Sequence, residues 1–169
     1  CGNCRACRLI ESESYPDLHI VEAERGTQVV VDQVRQLQRQ LALAPYEGRW
    51  RIALFPAFDR ANIYAANALL KTLEEPPSKV IMLLTARSAE SLLPTIVSRC
   101  EVIPLRAPPI EKLAQALIGD GIAEERARLL AGIAGGCPGT AFRMIKDPTL
   151  LEQRTEFLDD LMSLLSGNW

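Results

Sequence analysis

Asn67-Ala68-Leu69-Leu70-Lys71-Thr72-Leu73-Glu74-Glu75-Pro76-Pro77 is the stretch that decides how this 169-residue chain is read. Alanine, leucine, lysine and glutamate all favour a helix, and Ile63, Ala66, Leu70 and Leu73 recur at helical spacing. The spacing predicts a helix over Asn62 to Glu74 with those four as its buried stripe. Pro76-Pro77 forbids continuation, since proline has no N–H to donate and its ring collides with the preceding turn. Just upstream, Ile52-Ala53-Leu54-Phe55 is an unbroken apolar run between Arg51 and Pro56, as expected of a central strand buried on both faces.

The same strand-then-helix unit recurs on either side. Leu18 to Glu22 alternates as a short strand; after Gly26-Thr27, Val30, Val34, Leu37 and Leu41 keep helical spacing until Pro45 and Gly48. Downstream, Val80 to Thr85 reads as a third strand, Ala89 to Val97 contains a short helical stretch, and Glu101 to Leu105 reads as a fourth strand. Alternation at these lengths indicates a parallel α/β sheet. Past Pro108-Pro109 the pattern is helical only, over Ile110–Ile118, Ala123–Ala134, Pro138–Ile145 and Thr149–Leu165, so a boundary is expected near Arg106 to Pro109.

A 48% hydrophobic content suits one or two modest domains, and a chain this long buries roughly two-thirds of its surface on folding. The formal charge of −2 supplies no global attraction to nucleic acid or to an anionic membrane, so any DNA contact has to come from a local patch or from partner subunits. No apolar run of ~18 residues and no basic-then-apolar leader is present, and a cytoplasmic address is the expectation. The chain opens on Cys1 rather than methionine, which suggests that the numbering starts inside a longer protein.

Cys1-Gly2-Asn3-Cys4-Arg5-Ala6-Cys7 is a C-x2-C-x2-C run that brings three thiolates to one side of a tight turn. Zinc is the preferred occupant because tetrahedral thiolate sites favour it; iron-sulfur ligation uses similar spacing, and cysteines holding no metal are the third possibility. Three ligands are one short of a closed structural site. Cys100 and Cys137 stand alone in regions that read as core, so the five cysteines do not make a disulfide framework.

The cysteine run, the helix ending in Leu73-Glu74-Glu75-Pro76-Pro77 and the later Ser98-Arg99-Cys100 resemble, in that order, the clamp-loader branch of the AAA+ ATPases. The resemblance covers nearly the whole chain. It implies an α/β fold: a partial AAA+ parallel core with a zinc module over residues 1–107, a small all-helical lid over 108–147, and the start of a helical collar over 148–169. It also implies that zinc is held by Cys1, Cys4 and Cys7 with a fourth cysteine preceding Cys1.

Matching the helix to the family motif puts Pro56 and Ala57 where a hydrolysing member carries its acidic pair, and Asp59 falls two to three residues late. A local shift bringing Asp59 into service is the alternative. No G-x-x-x-x-G-K-[ST] phosphate loop occurs, and Gly139 stands where the lid arginine would be, in a Gly136-Cys137-Pro138-Gly139-Thr140-Ala141 form resembling the non-hydrolysing delta-prime members. Arg143 lies a turn later and reads as a solvated helix arginine. The resemblance therefore implies a subunit without ATPase activity of its own that presents Arg99 across the subunit boundary to a neighbour's ATP. Its partners would be gamma/tau and delta subunits and, through the complex, the sliding clamp and primed DNA. A structural pairing of Arg99 with Glu101 or a lid carboxylate is the competing reading. An ATP-hydrolysing gamma/tau-type motor and a zinc-binding adaptor module are the rival functions.

Overall fold

The structure, a computed structural model, describes residues 2–23, 27–165 and 167. It divides into two compact units, Cys1–Ile103 and Pro104–Trp169. The expected metal ligand Cys1 and the expected break at Gly26 lie outside the described residues.

The first unit is α/β. Its elements are α1 (Arg5–Glu11), β1 (Leu18–Ile20), α2 (Val31–Leu41), β2 (Arg51–Phe55), a 3₁₀ turn at Phe58–Arg60, α3 (Ile63–Glu74), β3 (Val80–Leu84), a second 3₁₀ turn at Ala89–Ser91 and α4 (Pro94–Val97). The three strands are parallel in the order β1-β2-β3, with Leu18 opposite Ile52 and Ile52 opposite Ile81. The apolar run that reads as a central strand is central. Around it Val34, Leu37 and Leu41 of α2, Phe55 of β2, Leu69 of α3 and Ile96 of α4 are fully buried in one core. Phe55 and Phe58 meet edge to face at 5.1 Å, a favourable arrangement of ring quadrupoles.

Helix α3 starts where Asn62 caps it, its side-chain oxygen accepting the Ala65 N–H at 2.8 Å, a contact that typically contributes about 1 kcal/mol. Gln38 of α2 ties the two helices together, donating to the Ala68 carbonyl and to Thr72 Oγ1. The buried stripe of α3 differs from the expectation. Ala65, Ala66 and Leu69 are buried, Leu70 and Leu73 pack at the margin, and Ile63 is exposed. The two alanines and Leu69 join the core shared with α2 and β2, and that side of α3 is the one shut off from water.

The expected fourth strand at 101–105 does not form. These residues join no ladder, and Val102, Ile103 and Leu105 are exposed. An apolar run makes a strand only where a neighbouring strand satisfies the backbone, and β3 pairs with β2 alone among the described residues. The cysteine stretch is helical beyond its first turn, a helix the spacing alone does not announce.

The second unit is all helical: α5 (Ile110–Gly119), α6 (Glu124–Ile133), α7 (Pro138–Lys146) and α8 (Thr149–Leu165). Leu113, Leu117, Ala127, Leu130, Ala131 and Ala141 form its core. Gly136 sits at φ 79°, and a Cβ there would lie 2.4 Å from the Pro108 carbonyl oxygen, so no other residue fits without moving backbone. Helix α8 buries none of its side chains.

Candidate functional site

Strand β2 delivers Pro56 and Ala57 at its C-terminal end, the usual place for ligands in an open parallel sheet. Ala57 adopts a left-handed conformation (φ 52°, ψ 54°) that an L-residue enters at a cost, and Thr85 at the end of β3 holds it there. The Ala57 N–H donates to Thr85 Oγ1 at 3.0 Å, and the Phe58 N–H donates to the Thr85 carbonyl at 2.7 Å. Beyond this turn Asp59, with only 3% of its side chain exposed, receives Arg87 Nε at 2.7 Å on Oδ2. Its other oxygen, Oδ1, has no protein partner. Ala57, Asp59, Arg60, Thr85, Ala86 and Arg87 line an open cleft of about 630 Å³. Asp59 is thus engaged by an arginine on the neighbouring loop, in a turn tied at both Ala57 and Phe58.

Arg99 stands on the turn after α4. Pro94 opens that helix at the position where proline is favoured, and buried Ile96 anchors it. The Arg99 side chain is one-third exposed (33%), and its guanidinium is gripped from one side. Nε and Nη2 reach Glu74 Oε1 at 2.8 and 2.5 Å, while Nη1 donates to the Thr95 carbonyl at 2.9 Å and to Ser98 Oγ at 3.2 Å. The partner is neither Glu101 nor a carboxylate of the helical unit but Glu74, the last residue of α3. Local sequence does not announce the pair, which joins residues 25 positions apart. The signal available was the proline stop, which fixes where the last helical side chain points. Chemically, the turn offers a half-presented planar cation whose orientation is set by a carboxylate, a carbonyl and a hydroxyl.

Of the three expected metal ligands, two are described. Cys4 caps α1, its sulfur accepting the Cys7 N–H at 3.4 Å, and the Cys4 and Cys7 sulfurs lie 3.4 Å apart. Those hydrogen bonds from Cys7 hold the Cys4 thiol below its ordinary pKa, which favours the thiolate form that metals bind. Two thiolates on a tetrahedral zinc with bonds of about 2.3 Å stand about 3.8 Å apart, so the pair fits two corners of such a site. Among the described residues no group of three or more potential ligands assembles. Gly139 and Arg143 fall on α7, where Arg143 Nη2 donates to Thr140 Oγ1 at 3.3 Å.

A second ionic centre lies at the other end of the sheet and was not foreseen. Asp17, just before β1, is buried and accepts the backbone N–H groups of Tyr46, Glu47 and Gly48 at 2.6, 2.8 and 2.7 Å. Arg51, the first residue of β2, lies 3.7 Å from it and donates to the carbonyls of Gln40 and Ala44. Burial alone would raise the Asp17 pKa, but the three N–H donors and the Arg51 charge outweigh it and hold the carboxyl below its ordinary range. His19, 3.5 Å from Arg51, is pushed down by burial and then by that positive charge, with Asp17 opposing. Arg5 of α1 joins the same loop through an ion pair with Glu47 at 2.7 Å.

No helix among the described residues is long and apolar enough to cross a membrane. Residues 1–109 match the family model described as DNA polymerase III, delta subunit. The delta-prime subunit of DNA polymerase III from Pseudomonas aeruginosa is 38% identical over 170 residues, covering 98% of this chain and 51% of the relative. The delta-prime subunit of Escherichia coli is 33% identical over 172 residues, covering 100% and 51%. The tau subunit of Salmonella typhimurium is 36% identical over 117 residues, but only 69% of this chain and 18% of the relative are covered. The chain spans about half the length of the delta-prime relatives it matches. Among solved structures, a gamma subunit-related protein of Thermotoga maritima superposes with a TM-score of 0.54 at 25% identity, covering 70% of this chain and 43% of that one. The RuvB Holliday junction branch migration motor of the same organism reaches 0.55 at 15% identity over 83% and 47%, a likeness of fold alone. With the family match covering the α/β unit and the delta-prime relatives extending through the helical one, this chain belongs to the DNA polymerase III delta-prime family.

Proposed function

We propose that the chain works as a non-hydrolysing subunit of the DNA polymerase III clamp loader, completing a neighbour's ATP site with Arg99 while the sliding clamp is loaded onto primed DNA. In that role gamma/tau and delta subunits are its direct partners, and the sliding clamp and the primed DNA it encircles are met through the assembly. The observation that carries this reading is a contrast within one unit. Pro56 and Ala57 occupy the positions of the metal-holding and water-orienting acids, whereas Arg99 is retained on a turn with a third of its side chain open. A planar cation placed beside a neighbour's γ-phosphate stabilises charge that develops as the phosphoryl group transfers, and such arginines contribute ~10³ or more in rate in related systems. Glu74, Thr95 and Ser98 hold the guanidinium in readiness. Zinc, bound by Cys1, Cys4, Cys7 and a fourth thiolate, would hold α1 and its neighbouring loop together and take no part in the chemistry.

The test is a reconstituted loader carrying Arg99→Ala. DNA-stimulated ATP turnover and clamp loading fall partially, since one site of several is affected, and assembly by gel filtration is unchanged. Arg99→Lys fails similarly, because an ammonium keeps the charge and loses the fork of donors. Full activity in a properly assembled Arg99→Ala loader would reduce the residue to a partner of Glu74. Metal analysis of the full-length protein, purified reducing and without chelator, is expected to find one zinc, lost together with its cobalt-substituted thiolate absorption in Cys4→Ser.

A further inference from the structure

We infer that the loop between α2 and β2, together with α1, forms a surface that binds single-stranded nucleic acid directly, separate from Arg99 and from any neighbour's ATP. The loop displays Leu43, Tyr46 and Trp50 to solvent, with Tyr46 81% and Trp50 50% exposed. Large rings on a loose tip would be unremarkable, but this loop is fixed from beneath. One buried carboxylate, Asp17, takes three consecutive N–H groups from Tyr46 to Gly48, and one buried guanidinium, Arg51, takes the carbonyls of Gln40 and Ala44. The aromatic side chains are therefore held out by a framework that has already lost its conformational freedom, which lowers the entropic cost of binding something.

Charge identifies the class of partner. Arg8 on α1, Arg39 in the last turn of α2 and Arg49 beside Trp50 are exposed and carry no side-chain hydrogen bond or ion pair among the described residues. The elements bearing them are tied together, α1 to the loop by Arg5–Glu47 and the end of α2 to the loop by Arg51. Glu47 is the loop's only acid, and Arg5 neutralises it. Unpaired guanidinium groups on the linked elements that carry open rings suit a polyanion whose bases are unstacked, because any base can lie on an aromatic face while arginines follow the phosphates. A duplex offers the phosphates but keeps its bases stacked on one another. The overall charge of −2 makes this local basic surface the exception on the chain rather than its average.

The probe is a fluorescein-labelled oligo(dT) of about 20 nucleotides, titrated by anisotropy against the 169-residue chain at low and at raised salt. Saturable binding is expected, weakened about tenfold or more per ring in Tyr46→Ala and Trp50→Ala, since stacking on an aromatic ring is lost. Arg49→Gln lowers the magnitude of the salt slope by about 0.7, the value for one single-strand phosphate contact. In a Trp169→Phe background Trp50 is the single tryptophan, and its emission is quenched as the oligonucleotide binds. Both rings are exposed, so unchanged melting curves separate lost binding from lost folding. No binding by the unmodified chain would overturn the inference, as would full affinity in Tyr46→Ala/Trp50→Ala or equal affinity for a duplex of the same length. Displacement by poly-glutamate as effective as by unlabelled oligo(dT) would equally overturn it, and would assign the surface to an acidic protein.

Discussion

Arg51 and Arg99 of the α/β unit each meet a carboxylate, and the difference between them separates architecture from readiness. Arg51 and Asp17 are both buried at the start of the strands, with two carbonyls and three N–H groups completing the centre. Arg99 and Glu74 pair at the edge of α3 and α4 in partial contact with water. Breaking the first leaves charge stranded in a low-dielectric interior, where nothing else can solvate it. Breaking the second hands the guanidinium to water at little cost, so Arg99 can exchange Glu74 for another anion. Burial, and not the identity of the pair, decides which arginine is available.

Removing one side of the buried centre gives the largest expected effect. Asp17→Ala strands Arg51 and three backbone donors, and is expected to destabilise the unit by about 3–5 kcal/mol in urea titration. Its pH profile carries the matching signature. Because folding lowers the Asp17 pKa, its contribution is complete above the ordinary carboxyl value of 3.8 and is lost as pH falls through the lowered value. Asp17→Ala should therefore flatten the acid limb of the stability curve, and an unchanged limb would deny this centre its role. Glu74→Ala comes next. As a partly exposed pair it is expected to change stability by no more than about 1 kcal/mol, while lowering loader turnover by misplacing Arg99. A loss of stability comparable to that of Asp17→Ala would erase the contrast between the two arginines. The smallest effect is at His19, the chain's single histidine, whose ring resonances can be followed by NMR without assignment. It should titrate below 6.5, and in Arg51→Met it should move upward as the repelling charge is removed. The neutral ring favours folding, so its small contribution is present above 6.5 and fades as pH falls through the lowered pKa.

How far this could be read beforehand depended on whether a feature is local in the chain. The strand Ile52 to Phe55 and the Pro76-Pro77 stop are written in adjacent residues, and each falls where local reasoning puts it, while Asn62, expected inside the helix, caps it instead. The segment 101–105 misled because its apolar content is local while the strand partner it needs is not. Ile63 misled for a related reason. Spacing places it on a stripe with Ala66, but which stripe faces the core is settled by packing against α2 and α4, and Ala65 and Leu69 rather than Ile63 meet that core. The cleft residues Asp59 and Arg87, the Arg99–Glu74 pair and the Asp17 centre join positions far apart in the chain, and nothing in the composition of any one segment announces its partner. The Tyr46 to Trp50 loop is legible in sequence only as a helix stop at Pro45 and Gly48; that its rings stand in water depends on Asp17, thirty residues away, holding the backbone.

The position of Asp17 and Arg51 also bears on how the chain finds its pairing. The Ile52 N–H donates to the Asp17 carbonyl at 2.7 Å, and Leu18 then aligns with Ile52 along the parallel ladder. Parallel neighbours must be matched across a long crossover, and an apolar run such as Ile52 to Phe55 discriminates poorly between correct alignment and a slip by one residue. A slip here would turn Arg51 to the opposite face of the sheet, away from Asp17, with both charges already leaving water. The centre thus penalises misalignment at the moment of docking, and replacing both residues with well-packed hydrophobes could leave a chain that is stable yet slower to settle on a single ladder.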